Sequence, residues 1–483
     1  MEIPKYRTLW TWDYCTYWDN ATFARGRGSS GQNVRREAFL RDYKRMVDFS
    51  AAHHFNSIVI WGAVRAHHNG MEQLKELVAY GREKGVRILP GVSAFGYGGV
   101  CYDPRTHFDG MTDFPMEDHP YSLSAWLRKH PDYAAIDPNG KPYGFGPLNM
   151  VACPSREENV EWFREGMHWL YETFDIDGVQ VEVGDYAVCH CPRCQQRRKN
   201  TIANSTFCVA DMLSSYTAAI EVSKKVKPDA WVICETYSSI ADAVGVDNTY
   251  GWKSMAQSNR ELLKALPEEA ILQWGVDKSI GGSALQTWPE QVYTPAKDNI
   301  LRIHAGCQHS QNGPADWATN LVWEMVKQAR THGINGVSIF GEESPFCPAN
   351  EVNYLALEEA SGLGRENPNC DEELFYSQTL DPLFGGVGLA KRWRELYIKG
   401  CMLQLGEKLN VRRNSIQPLE LLTDDPDFKA KALNWNDEAR VKALEAYYSE
   451  ARAISSGLSG EACGRWSWLE NKLWNMRYLI GTR

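Results

Sequence analysis

At 483 residues the chain exceeds what one hydrophobic core usually serves, so one large domain with an appendage is expected. A formal net charge of −9, with no basic block, argues against nucleic acid or lipid headgroups as partners, and no apolar run is long enough to span a bilayer. The 18 Trp and 22 Tyr, many in loop-like stretches, suit carbohydrate binding as well as a large core with an interface.

The opening "MEIPKYRTLW" lacks the charged, apolar and small-residue regions of a secretory signal, and 13 scattered cysteines, an odd number, suit reduced thiols. A cytoplasmic protein is the expectation. The first strand, "RTLWTWD" (7–13), runs into a cluster of rings: Trp10, Trp12, Tyr14, Tyr17 and Trp18 surround Asp13. A helical pattern over 35–52 leads to "NSIVIWG" (56–62), and a second over 71–84, stopped at Lys84-Gly85, leads to "VRILPGV" (86–92). An insertion of about sixty residues follows, Phe95 to Ser155, rich in Gly, Pro, His, Asp and Tyr; loops of that length are usually functional.

A helix over 156–174 precedes "DGVQVEV" (177–183), and a helix over 207–226 precedes "WVICET" (231–236). "AILQWG" (270–275), "NILRIH" (299–304), a helix over 316–332 stopped at His332-Gly333, and "GVSIFG" (336–341) complete about eight βα units. That number closes a (β/α)8 TIM-type barrel, an α/β fold assigned here to residues 1–365. From 366 to 483 the pattern is helical, near 388–409, 436–456 and 461–480, and predicts a C-terminal α-helical domain. Its Trp466, Trp468, Leu469, Leu473, Trp474 and Leu479 are expected to pack on the barrel, a homodimer contact being the alternative.

Barrel strands send alternate side chains inward, and catalytic groups collect at their C-terminal ends. With Val179, Val181 and Val183 facing the helices, Gln180 and Glu182 point inward; with Leu301 and Ile303 outward, Arg302 and His304 point inward. The same rule offers Glu235, Gln273, Ser338, Glu342 and Asp13. One such group could be a structural interior pair, but burying several charges is costly, so the cluster as a whole points to function.

Carboxylates, a guanidinium, imidazoles and indoles at one mouth suggest a glycoside hydrolase. The two-glutamate pattern finds Glu182 after strand 4 but His304, not Glu, after strand 7. A chitinase-type DGxDxDxE would overlie "DGVQVEVG" (177–184), where Gln180, Glu182 and Gly184 replace its acids. A metal-dependent amidohydrolase would need His-x-His where Thr11, Trp12 and Asp13 stand. "VCHCPRC" (188–194) places Cys189, His190, Cys191 and Cys194 together without the second spaced pair of a zinc motif. A packed, reduced loop is the reading there, a structural metal the alternative. Glu182 and Asp185, just before it, could bind sugar hydroxyls or orient the loop.

"TWDYCTYWD" near the N-terminus, "KHPDYAAIDPNGKP" in the third loop and "DIDGVQVEVGDYAVCHCPRC" after strand 4 together resemble the inverting exo-sialidases of glycoside hydrolase family 156, over nearly the whole chain. The resemblance implies single displacement on sialylated glycans, with Asp13 as base and His130 as acid; no cofactor is expected, nor a catalytic metal, because no strand end presents a cluster like that of a catalytic zinc site. A histidine donor suits this substrate, because the sialoside's own carboxylate hinders attack by an acidic nucleophile and favours a protonated imidazole. In an acidic protein, local cations must hold that anion: Arg302 first, then Arg128 and Arg198. His304 is the rival proton donor. The alternatives are a barrel glycosidase for another sugar, using Glu182 with Glu235 or Glu342, and a non-catalytic carbohydrate-binding barrel.

Overall fold

The structure, a computed structural model, describes residues 4–13, 39–65, 69–101, 119–143, 151–182, 188–199, 203–204, 207–239, 261–276, 296–303, 317–340, 347–363, 371–405, 427–428 and 434–481. Eight parallel strands close a barrel: β1 (Tyr6–Trp12), β2 (Ser57–Trp61), β3 (Arg87–Val92), β4 (Gly178–Val181), β5 (Trp231–Ser239), β6 (Ile271–Val276), β7 (Asp298–Ile303) and β8 (Gly336–Phe340). Each strand pairs with its neighbours in sequence and β1 pairs with β8, Tyr6 opposite Gly336 and Trp10 opposite Phe340. This is the (β/α)8 architecture, and all eight expected strands form.

Helices cover the barrel, among them α1 (Phe39–Ala52), α2 (Gly70–Glu83), α3 (Leu123–Lys129), α4 (Glu157–Phe174), α5 (Pro192–Arg197), α6 (Val209–Val226), α7 (Thr319–Thr331) and α8 (Pro348–Ala360). The stops after α2 and α7 work as expected: Gly85 and Gly333 take φ of +74° and +70°, the left-handed region where a Cβ is unwelcome. Outward strand residues such as Leu9, Val179, Val181, Leu301 and Ile303 pack against the helices in one continuous core. Tyr6, Trp10, Val59, Trp61, Leu89, Ile233, Ile271 and Ile300 fill the inside. Two indoles fit side by side there because β3 has Gly91 opposite Trp61: a Cβ at residue 91 would stand 2.4 Å from the Trp61 ring.

The long third loop is better built than its composition suggests. It contains α3, whose Trp126 stacks on Trp162 of α4 with ring centroids 5.6 Å apart, and donates its indole N–H to Asn159 at 2.8 Å. The Asn159 amide in turn donates to the carbonyls of Tyr133 (2.9 Å) and Cys153 (3.0 Å), holding the middle and the end of the loop on one helix.

C-terminally, α9 (Leu389–Leu405), α10 (Asp437–Ser455) and α11 (Gly460–Gly481) pack together and onto the barrel. Trp393 lies 5.4 Å from Trp317, and Arg465 forms a two-pronged ion pair with Glu351 of α8 at 2.6 and 2.9 Å. Trp466, Leu469 and Leu473 are buried, but Leu473 lies against Gly400 of α9 and the Trp466 indole donates to the Phe384 carbonyl at 2.8 Å, so this face meets the neighbouring C-terminal segments and not, as expected, the barrel. Trp474 is not buried: it is 43% exposed, with the Arg477 guanidinium 3.7 Å above its ring and Tyr448 beside it. It falls on the outer face of a helix whose inner face is already filled. Among the described residues no helix is long and apolar enough to cross a membrane.

Candidate active site

At the C-terminal end of β1, Asp13 is gripped by Arg65, which follows β2. Arg65 Nε stands 2.7 Å from Asp13 Oδ2 and Nη2 donates to Oδ1 at 2.9 Å, with both side chains fully buried. The expected inward alternation does not extend to this aspartate. Thr8 and Trp10 face the interior, so Asp13 has the outward parity of Leu9 and Thr11. It stands in the turn beyond the strand, its N–H still donating to the Trp61 carbonyl at 2.8 Å, and the turn directs its carboxylate to the β2 loop. Gly62, at φ +80°, makes room: a Cβ there would be 2.8 Å from Asp13 Cγ, Asp13 Oδ2 and Arg65 Nε. Arg65 is a site residue not among the sequence-derived candidates, although the rule of charged residues at barrel strand ends marks it as clearly as it marks Asp13.

Inside the barrel the alternation holds. Gln180 Oε1 accepts from the indole nitrogens of Trp10 and Trp61, each at 2.7 Å, and joins β4 to β1 and β2. Arg302 also points inward, over the Trp10 ring at 5.7 Å, and pairs with Glu235 Oε2 at 3.1 Å. The same Glu235 oxygen accepts from Gln273 at 2.6 Å. Directly above Glu235, the β5–β6 register shifts, from Glu235 opposite Gln273 to Ser239 opposite Gly275. Such an irregularity re-aims side chains at a barrel rim. Glu182 lies buried just past β4, its N–H bonded to the Val92 carbonyl at 3.0 Å.

His130 ends α3, its ring 4.1 Å from Trp126 and 5.0 Å from Tyr133, half-buried in this aromatic stack and not against Asp13. Arg128, two residues earlier, is exposed on the last turn of α3. Arg198 serves the cysteine loop, donating to the carbonyls of Cys194 (3.1 Å) and Cys189. Tyr14, Asp185, His304 and Glu342 lie outside the described residues. Asp13, Glu182 and Arg302 thus share the C-terminal end of the barrel, His130 rides on the third loop, and Arg198 bonds the carbonyls of the cysteine loop. A surface depression lined by Leu263, Leu266, Pro267 and Ala296 opens at the N-terminal ends of β6 and β7, the wrong end for barrel chemistry.

Behind His130, the loop turns through "DPNG": Asp137 accepts the N–H groups of Asn139 (2.8 Å) and Lys141 (2.9 Å), which hold its carboxyl below the usual range. The same segment reaches the cysteine loop, where His190 N–H bonds to the Ile136 carbonyl at 2.8 Å. Cys189, Cys191 and Cys194 do gather there, but the fourth member of the group is Cys153, from the end of the third loop, and not His190. The neighbouring Cys153 and Cys194 thiols, and the N–H groups of Cys191 and Ile136 that donate to its sulfur, pull Cys189 well below the ordinary thiol range, while Cys153 is pushed up.

No protein-family model matches this sequence, and no curated protein matches it. Among solved structures it is similar to a GH138 enzyme targeting pectin rhamnogalacturonan II, with a TM-score of 0.53 at 8% identity over 99% of this chain and 57% of that one. The chain therefore spans little more than half of that enzyme. Weaker likenesses are to a β-N-acetylhexosaminidase (TM-score 0.43, 15% identity, covering 78% of this chain and 76% of that one) and to the α-amylase of Geobacillus thermoleovorans (0.41, 11%, 73% and 77%). These neighbours are glycoside hydrolases, and the likeness is one of fold. None of the three is a sialidase, so the resemblance to family 156 rests on its motifs.

Proposed function

We propose that this protein is a glycoside hydrolase acting at the C-terminal mouth of its barrel, and that it releases sialic acid from sialylated glycans with inversion. The carrying observation is the buried Asp13–Arg65 fork at the end of β1. A buried carboxylate held by a hydrogen bond at Oδ1 and an ion pair at Oδ2 keeps further lone pairs in a set direction, which is what positioning a water requires. It stands at the end of the barrel where such enzymes assemble their sites.

In this reading Asp13 activates the water and His130 protonates the departing oxygen. Single displacement requires acid and base to leave room for both sugar and water, about 6.5–9.5 Å in inverting enzymes. The stacking of His130 on Trp126 and Tyr133 would hold the imidazole in one orientation. Arg302 is the candidate for the substrate carboxylate, its charge already shared with Glu235. The neutral-sugar reading rests on Glu182, buried at the same rim; Glu235 is a weaker partner for it, being engaged by both Gln273 and Arg302.

Sialyl-lactose incubated with the purified protein should release free sialic acid, and proton NMR should show the β-anomer first. His130→Ala should lose about 10²- to 10⁴-fold on sialyl-lactose and far less on an aryl sialoside whose leaving group needs no proton. Release of a neutral sugar only, from a panel of aryl glycosides, would reject the sialidase reading in favour of Glu182.

A further inference from the structure

The sulfurs of Cys153, Cys189, Cys191 and Cys194 all lie within 4.8 Å of one another, three of the four residues buried. Cys153 Sγ stands 3.6 Å from Cys189, 3.6 Å from Cys191 and 3.7 Å from Cys194. A tetrahedron of metal–thiolate bonds of about 2.3 Å has edges of about 3.8 Å, whereas a disulfide brings two sulfurs to about 2 Å. The three edges from Cys153 have the spacing of ligands around a common centre, the remaining sulfurs lie within 4.8 Å of one another, and all four cysteines are free of disulfide bonds. We propose that this cluster binds one zinc ion as a closed, structural site. The proposal is independent of which sugar the barrel mouth takes.

The surroundings suit a centre that would carry two net negative charges with four thiolates. Backbone N–H groups point at the sulfurs: Ile136 and Cys191 at Cys189, both 3.5 Å, and Cys194 at Cys191, 3.4 Å. The last of these caps α5, whose Pro192 occupies its first turn, so the Cys-x-x-Cys stretch is held as a knuckle. Arg197 donates to Cys194 Sγ at 3.4 Å while its Nε pairs with Asp211, and Ser155 Oγ is 3.0 Å from the same sulfur. Arg198 adds a second guanidinium on the loop carbonyls. Such outer partners orient thiolates and offset their charge. With four sulfurs present, no position is left for water, so the ion would not be catalytic.

Its role follows from what it joins. Cys153 ends the third loop, and the other three follow β4. The bond from the His190 N–H to the Ile136 carbonyl connects the same two segments, while the bond from Ala135 N–H to the Val151 carbonyl closes the third loop on itself beside Cys153. A zinc ion here would pin the loop carrying His130 to the loop that follows Glu182.

The test is elemental analysis of the full-length protein, purified without chelator or histidine tag. We expect one zinc per chain, released by a mercurial in step with thiol titration, and retained in His190→Ala. Cobalt substitution should give the visible ligand-field bands and sulfur-to-metal charge transfer of a tetrahedral tetrathiolate. Cys153→Ser should lose the bound metal and become sensitive to proteases near residues 134–152 and 188–199; should that variant not fold, the wild-type stoichiometry and cobalt spectrum decide alone. Metal-free protein with four titratable thiols, disulfides among these cysteines, or iron in place of zinc would each overturn the proposal.

Discussion

Removing the guanidinium from the Asp13–Arg65 pair, by Arg65→Met, should destabilise the fold more than most single substitutions. Both side chains are fully buried, with Nε–Oδ2 at 2.7 Å and Nη2–Oδ1 at 2.9 Å. With charge centres about 4 Å apart and an effective dielectric of about 20, the lost attraction is about 4 kcal/mol. The stranded carboxylate also keeps its desolvation penalty, partly relieved by water entry or protonation, and measured truncations of buried pairs cost about 3–5 kcal/mol. At a urea slope of about 3 kcal/mol per molar, the unfolding midpoint should fall by about 1 to 2 M. Arg65→Lys, which keeps the charge but not the fork, should fall between. Asp13→Asn combined with Arg65→Met should recover part of the loss, because no lone buried charge remains. Gly62→Ala, whose Cβ would press on both partners, should act in the same direction. The assay is urea unfolding followed by far-UV circular dichroism. A midpoint for Arg65→Met within about 0.3 M of the parent would refute the reasoning, since a pair that costs so little to break is not buried as described.

Gln180→Leu removes the acceptor shared by the Trp10 and Trp61 indoles, and two buried N–H donors left unmatched should cost about 2–5 kcal/mol, visible in urea unfolding with tryptophan fluorescence. The turn behind His130 should loosen in acid. The N–H groups of Lys141 and Asn139 hold Asp137 below the usual carboxylate range, so its contribution is complete above the ordinary value of about 3.9 and is lost as pH falls through the lowered folded value. Limited proteolysis of residues 134–143 should therefore accelerate below about pH 4 in the parent protein, whereas Asp137→Ala should be cut quickly at neutral pH as well.

The fold was legible because its signals are local. Alternation of Val179, Gln180 and Val181, or of Leu301, Arg302 and Ile303, reports which face each residue presents, and a barrel needs little more than eight such runs with helices between them. Gly85 and Gly333 announced helix ends through a backbone conformation that only the residue itself dictates. The position of Asp13 is not given by alternation: it shares the outward parity of Leu9 and Thr11, the turn beyond the strand directs its carboxylate, and its partner Arg65 comes from the loop after the next strand. Trp474 was misjudged for a related reason: its helix is apolar on more than one face, and only packing decides which face is covered. The cysteine cluster depended most on tertiary structure. Three of its sulfurs stand within six residues, but the fourth, Cys153, lies across the whole of α4 and β4 and reaches them only when the barrel brings the third and fourth loops side by side. Periodicity along the chain determines which way a side chain faces; what it meets depends on strands that are neighbours in space and distant in sequence.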